Sequence, residues 1–327
     1  MKTISIVTPC YNEEENVEEL YNRVRAVMVK IGRYAYEHIF IDNDSRDSTV
    51  AILKRIASRD KNVKLIVNAR NFGHLRSPFH AFLLTRGDAV VGIAADFQDP
   101  PEVIEQLVEK WEEGYPMVLC IKRSSEENSL MFWVRKKYYG LVQRLSSIHT
   151  FENFTGFGLY DRKVVEIIRS FGDAYPYFRG MIAEIGLPHY EILFDQPRRR
   201  RGITKNNFYV LYDYAMLGIT NLSKVPLRVA TLLGFVSSAF SILAALGYLV
   251  YKLIFWNSFS VGIAPLVIGL FFLGSVQLVS MGILGEYVGA IHTQVLKRPL
   301  VIEKERVNFE YQPGEPYPED LRISALV

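Results

Sequence analysis

Three short stretches of this chain collect acids, amides and hydroxyls directly after an apolar run: Thr8-Pro9-Cys10-Tyr11-Asn12-Glu13-Glu14-Glu15, Ile41-Asp42-Asn43-Asp44-Ser45-Arg46-Asp47-Ser48-Thr49, and Ala94-Ala95-Asp96-Phe97-Gln98-Asp99-Pro100-Pro101-Glu102. In the third, Asp96 and Gln98 stand two apart, so in an extended segment their side chains share a face. One carboxylate and one amide oxygen make a partial shell for a hard cation such as Mg²⁺ or Mn²⁺, with a substrate diphosphate supplying further oxygens. Asp42 closes an apolar run, where turn chemistry explains it poorly and hydrogen bonding to a nucleotide explains it better. Pro9, Tyr11 and Glu13 could floor a base-binding pocket. Several neighbours have plainer structural readings. Asn12 with Glu15 has the spacing of a helix-capping box. Ser45 and Asp47 suit a turn or cap. Asp99, Pro100 and Glu102 together read as a helix start.

These turns need strands to hold them at one edge. Residues 4–8, 38–41, 63–67, 89–94 and 117–121 read as strands rich in Val and Ile, and residues 17–28, 50–57, 79–85 and 103–111 carry helical spacing. That alternation predicts an α/β domain with a mostly parallel sheet and its chemistry at the carboxyl ends of the strands. Further along, no Asp, Glu, Lys or Arg occurs from Val229 to Tyr251, nor from Leu253 to Gly285. Roughly 20 apolar residues cross a bilayer as helix, so two membrane spans are predicted, at residues 229–256 and 261–290. Lys224 and Arg228 precede the first, and Lys297, Arg298, Lys304 and Arg306 follow the second. The positive-inside rule therefore puts both ends and the catalytic part in the cytoplasm of a multi-pass inner-membrane protein. The apolar start at Ile4 leaves no room for a signal peptide. The expected organisation is a catalytic domain at 1–205, juxtamembrane amphipathic helices at 206–228, the two spans, and a C-terminal tail at 291–327, loosely ordered from Val307. The net charge of +3, from 38 basic and 35 acidic residues, gives no argument for nucleic acid. Cys10 and Cys120, each in a strand-like run, are expected as buried free thiols. Glu286 near the end of the second span is a partner for Arg228 or Lys224, or an interfacial acid.

In order and spacing the three turns resemble glycosyltransferase family 2, inverting enzymes with a GT-A-type nucleotide-sugar-binding domain. Arg70-Asn71-Phe72-Gly73 and Gly87-Asp88 match as well. Arg199-Arg200-Arg201-Gly202-Ile203-Thr204-Lys205, the paired spans and Gly285-Glu286-Tyr287-Val288-Gly289 are similar to the polyprenyl-phosphate branch, which contains dolichol-phosphate mannose synthases and bacterial undecaprenyl-phosphate glycosyltransferases. The resemblance implies that Pro9, Tyr11, Glu13 and Asp42 hold the nucleoside and that Asp96 and Gln98 hold Mg²⁺ or Mn²⁺. It also implies that Arg123, Arg135, Arg199 and Lys205 lie near donor or acceptor phosphates. The implied reaction moves a sugar from a nucleotide donor, a UDP-sugar such as UDP-glucose, to undecaprenyl phosphate for cell-envelope glycans. A homotetramer is implied too.

Two departures bear on the chemistry. Many relatives carry a further Asp where this chain has Ala94, and a later acidic pattern falls here at Gly156-Phe157-Gly158. A hydroxyl acceptor would need a base in such a place. A polyprenyl monophosphate, with a second pKa of about 6 by analogy with other phosphate monoesters, is already largely dianionic and needs none. The gaps thus favour a lipid-phosphate acceptor, attacked once and with inversion, so an α-linked donor yields a β-linked product. A processive polysaccharide synthase and a catalytically silent membrane scaffold or flipping partner are the rival readings.

Overall fold

The computed structural model describes residues 1–123, 150–197, 208–255 and 263–309. They form two compact units. One comprises the described residues up to 197 together with those from Leu296 onward, and the other the described residues between 208 and 295.

The first unit is an eight-stranded sheet in the order β7-β5-β6-β4-β1-β2-β3-β8. β1 (Thr3–Cys10), β2 (Ala35–Asp42), β3 (Val63–Asn68) and β4 (Ala89–Gly92) run parallel. β6 (Phe154–Asp161) lies antiparallel between β4 and β5 (Met117–Lys122), and β7 (His189–Phe194) runs parallel to β5. Each parallel strand is apolar on both faces, as a sheet covered on both sides requires. Alternation then sorts the side chains. Ile4, Ile6 and Phe40 pack with α1 (Val17–Ile31), α2 (Thr49–Arg59) and α4 (Val103–Glu112). Val7, Ile39 and Ile41 face α3 (Gly73–Leu83), α5 (Arg162–Phe171) and α6 (Phe178–Ile185). α1 shows why such helices form where they do. Val17, Leu20, Tyr21, Val24, Val27, Met28 and Ile31 make one buried stripe, and Gly32, at φ 62°, ends the helix by donating its N–H to the Met28 carbonyl. Burying each large aliphatic side chain contributes about 1.5–3 kcal/mol.

The five strands read from the sequence form, with β6 and β7 in addition, and α1 and α4 start at Val17 and Val103 as read; the expected caps and the start of α3 differ. α1 begins at Val17 with no cap from Asn12, because Asn12, at φ 55°, donates and accepts hydrogen bonds in the neighbouring turn instead. α3 begins at Gly73 rather than Phe79: Pro78 sits inside it, where it forfeits one backbone hydrogen bond without ending the helix. α4 begins at Val103, and the Asp99 carboxylate accepts from the Ala94 N–H instead of capping it. The tail holds one strand that was not read from the sequence. Glu303–Val307 forms β8, antiparallel to β3 at the sheet edge. Its charged sequence hid it, yet Glu303 is nearly buried, accepting from His80 Nε2 at 2.6 Å and from the Arg306 guanidinium. Cys10 and Cys120 are buried and free, as expected.

The second unit contains α7 (Phe208–Leu222), α8 (Val225–Ile254) and α9 (Ile263–Val295). α8 and α9 have 30 and 33 residues, about 45–50 Å at 1.5 Å per residue, enough to cross a hydrocarbon core of about 30 Å. Their surfaces are apolar outward, with Phe235, Phe240, Phe271 and Leu278 all exposed. They are long and apolar enough to span a membrane. The helix α8 starts at Val225, before the expected span, because Pro226 fits its opening turn and Arg228 continues it. Glu286 pairs with neither Arg228 nor Lys224. It accepts from the Tyr212 hydroxyl at 2.9 Å, and the next residue, Tyr287, donates to the Ser223 carbonyl at 2.5 Å.

Candidate active site

β1 is the switch point of the sheet, with β2 on one side and β4 on the other. In open α/β sheets the crevice beyond the carboxyl ends at such a point is where ligands bind. The three acidic turns leave the sheet there. Cys10 is in register with Asp42, and Val7 with Gly92, four residues before Asp96.

The first two turns are tied together by backbone-to-side-chain hydrogen bonds. The N–H groups of Asn12, Glu13 and Glu14 donate to Ser45 Oγ (2.8 Å), Thr49 Oγ1 (2.9 Å) and Asp47 Oδ2 (3.2 Å). In return the N–H groups of Arg46 and Ser48 donate to Asn12 Oδ1 and Glu14 Oε2, both at 2.8 Å. Asn12, Glu14, Ser45, Asp47 and Thr49 are therefore scaffold, and they hold Pro9, Tyr11, Glu13 and Asp42 in one place.

Asp42 is fully buried. Its Oδ2 accepts the Ser45 N–H at 2.9 Å, so turn chemistry explains half of the carboxylate after all. Its Oδ1 is buried without a partner among the described residues. A buried acceptor left unpaired is costly, which marks this oxygen as poised for a ligand donor. Burial raises the Asp42 pKa against the hydrogen bonds around Ser45 that lower it. Burial, then the charges of Asp42, Glu13 and Asp47, push the Cys10 thiol well above its ordinary value, so it stays an unionised packing group.

The neighbouring amide was not singled out from sequence, and it organises the third parallel strand end. Asn43 Nδ2 donates to Asn71 Oδ1 (3.0 Å) and to the Gly73 carbonyl (3.1 Å). Its Oδ1 accepts from the Phe72 N–H (2.9 Å) and from Asn68 Nδ2 (3.1 Å), while its own N–H donates to the Cys10 carbonyl (2.9 Å). The usable signal was Arg70-Asn71-Phe72-Gly73, polar residues following an apolar strand just as Asp42-Asn43 does.

At the end of β4 the chain is not extended. Phe97 has φ 61°, and the Gln98 N–H folds back to Asp96 Oδ1 at 3.2 Å. The shared-face argument for Asp96 and Gln98 therefore does not hold, since the reversal at Phe97 replaces the strand geometry it assumed. Asp96 is buried and Gln98 half-buried. Burial pushes Asp99 up to about 7, the Asp96 charge adding to the rise against the Ala94 N–H and Lys122. Among the described residues no group of three His, Cys, Asp or Glu side chains forms a closed metal cage. Asp96 and Gln98 offer hard oxygens, the donor type that suits Mg²⁺ or Mn²⁺ when a substrate completes the shell.

Arg123 follows β5, its N–H on the Phe194 carbonyl and its guanidinium 3.9 Å from Asp195. β5 runs in the same direction as β4, so Arg123 stands on the same edge of the sheet. Arg135, Arg199 and Lys205 lie outside the described residues. Glycine at 156 and 158 has a structural cause. A Cβ on Gly158 would meet the Val118 carbonyl oxygen at 2.5 Å, and Gly156 has φ 103°. A side chain is thus crowded at 158 and disfavoured by backbone conformation at 156.

An α/β sheet with acidic turns at its switch point is the architecture of a nucleotide-sugar transferase, and the chain matches glycosyl transferase family 2 over residues 5–169. It belongs to that family and is a glycosyltransferase. The bactoprenol glucosyl transferase derived from the SfII prophage of Shigella flexneri is 36% identical over 92% of this chain and 97% of its own length. A prophage bactoprenol glucosyl transferase homolog of Escherichia coli K12 is 34% identical over 92% and 98%. An uncharacterized glycosyltransferase of Synechocystis is 36% identical over 95% and 98%. Among solved structures, glucosyl-3-phosphoglycerate synthase from Mycobacterium tuberculosis, in complex with Mn²⁺, UDP and phosphoglyceric acid, aligns over 67% of this chain and 76% of its own. That alignment has 18% identity and a TM-score of 0.47.

Proposed function

We propose that this protein transfers glucose from UDP-glucose to a membrane polyprenyl phosphate of the bactoprenol type, with inversion at the anomeric carbon. The observation that carries the proposal is the extent of the likeness to bactoprenol glucosyl transferases. It leaves out less than a tenth of the chain, too little to omit the 225–295 helices. Such helices suit an enzyme of a lipid-borne acceptor, because the isoprenoid tail stays in the bilayer while its phosphate reaches the surface.

In this reading the uncommitted Oδ1 of Asp42 accepts a hydrogen bond from the base, with Pro9, Tyr11 and Glu13 around it. Asp96 and Gln98 hold the divalent cation. Bound there, the cation supplies positive charge against the departing nucleoside diphosphate. Arg123, Arg135, Arg199 and Lys205 add cationic contacts to donor or acceptor phosphates. No side chain needs to remove a proton from the acceptor, since a phosphate monoester is largely dianionic at neutral pH. This fits a site with Ala94 and Gly156 where relatives carry acids. Catalysis then depends on positioning and on stabilising the leaving group. The catalytic part and both chain ends face the cytoplasm, and the chain assembles as a homo-oligomer.

The test is a donor screen on the purified full-length protein with labelled UDP-sugars, undecaprenyl phosphate and Mg²⁺ or Mn²⁺. Lipid-linked glucose is expected, and Asp96→Ala should lower kcat/KM by at least about 100-fold, in the range of losing one electrostatic stabiliser. A polymer product would replace the proposal with a processive synthase. Turnover of Asp96→Ala at the wild-type rate would remove the metal assignment.

A further inference from the structure

The motif Gly285-Glu286-Tyr287 has no part in the proposed reaction, and it borders a cleft in the helical unit. The cleft encloses about 260 Å³ between α7, the start of α8 and α9. Val279, Gly282, Ile283 and Glu286 share one face of α9 by their spacing of three and four, and Met216 and Pro226 supply other walls. One turn before Glu286, Gly282 keeps the space open, since a Cβ there would meet nothing within 4 Å. Two hydrogen bonds hold the walls together. Tyr212 on α7 donates to Glu286 Oε1 at 2.9 Å, and Tyr287 donates to the Ser223 carbonyl at 2.5 Å.

Glu286 brings a carboxylate to an otherwise apolar lining. It follows directly on the uncharged stretch Leu253–Gly285, so it stands where the span meets the lipid headgroups. Its hydrogen-bond partner there is a neutral hydroxyl rather than a cation. An ionised carboxylate at the edge of the hydrocarbon is costly until a cation joins it. Lys224 and Arg228 stand two positions either side of Pro226, and both are exposed. An acid on α9 and two bases at the start of α8 complement a zwitterion.

We propose that this cleft binds the headgroup of a phospholipid bearing a primary ammonium, as in phosphatidylethanolamine, with the ammonium on Glu286 and the phosphate on Lys224 or Arg228. A primary ammonium offers three N–H donors to a carboxylate. A choline headgroup offers none, and a glycerol headgroup brings no cation at all. The volume falls below the roughly 300–1,000 Å³ of a site that encloses a drug-sized ligand, which suits a headgroup rather than a long isoprenoid tail. The site requires neither sugar donor nor polyprenyl acceptor, so it stands or falls apart from the proposed reaction.

The test uses the full-length protein in phosphatidylcholine nanodiscs containing equal minor fractions of phosphatidylethanolamine and phosphatidylglycerol, with native mass spectrometry to count retained lipid. Preferential retention of phosphatidylethanolamine is expected. Glu286→Gln should weaken it about tenfold, the size of one charge-assisted hydrogen bond. Gln at that position still accepts from the Tyr212 hydroxyl, so the helices stay tied. Gly282→Leu fills the cleft without removing the charge and should weaken retention by a similar factor, whereas Ser275→Ala, elsewhere on α9, should not. Glu286→Gln decides the case even if Gly282→Leu fails to fold. Excess undecaprenyl phosphate should leave the bound phosphatidylethanolamine in place. Equal retention of the three lipids, unchanged retention by Glu286→Gln, or displacement by undecaprenyl phosphate would overturn the proposal.

Discussion

Replacing Asn43 with Ala is the most revealing single change at the site. It deletes four side-chain hydrogen bonds, to Asn71, Gly73, Phe72 and Asn68, but their loss is unequal. Asn68 Nδ2 keeps its 2.9 Å bond to Ser77 Oγ, and Asn71 Oδ1 keeps the Gly73 N–H at 2.8 Å. The Phe72 N–H and the Gly73 carbonyl lose the side-chain partner they had. Leaving a buried backbone group unpaired costs about 1–3 kcal/mol, so one to two such groups give a loss of about 1–6 kcal/mol. That is a large share of a typical stability of about 5–15 kcal/mol. Asn71→Ala is the control, because Asn71 is exposed and water replaces what it loses; its cost should stay below about 1 kcal/mol. Pulse proteolysis of the full-length protein in detergent over a urea series reads the difference, since cleavage follows the population of the opened state. The same variant should raise KM for the nucleotide donor more than it lowers kcat, because the turn bearing Asp42 loosens while Asp96 is untouched. If Asn43→Ala stays within about 0.5 kcal/mol of wild type, or matches Asn71→Ala, the hub argument is wrong.

Two further outcomes follow from buried groups elsewhere in the same sheet. Gly158→Ala places a Cβ 2.5 Å from the Val118 carbonyl oxygen, so the β5–β6 pair must shift; a loss of about 1–3 kcal/mol is expected by the same assay, and an unchanged transition would refute the close approach. His38 is fully buried, and burial lowers its pKa from 6.5 to about 3. The unfolded chain therefore binds a proton in that window while the folded chain does not, so stability falls with decreasing pH by up to about 1.4 kcal/mol per unit. His38→Gln should flatten the acid limb of a thermal-unfolding profile between pH 6.5 and about 3, and an unaltered slope would show that His38 charges freely in the fold.

Much of this molecule was legible before any coordinates. Runs such as 4–8 and 38–41 became β1 and β2 because β-branched residues flanked by polar turns have few other uses, and the uncharged 229–251 stretch became part of α8 for similar reasons of composition. Asp42 and Asp96 were singled out from their place after apolar runs, and both are buried at the ends of parallel strands. Chain neighbours and periodicity settle such features, and those are local. What needed the fold was contact between residues far apart in sequence. Asn12 and Asp99 look like caps in isolation, and became ties to Arg46 and Ala94 because other partners lay closer than the helix ends. Glu303 looks like a solvated tail residue, and is held under His80 across more than two hundred positions. Glycine at 158 shows no constraint in the sequence until the Val118 carbonyl opposite it is seen. The amino-acid order thus determined which elements form and which turns carry the acids. Tertiary packing alone decided which polar atoms are already paired, and so that Asp42 Oδ1 is among the buried atoms without a partner among the described residues.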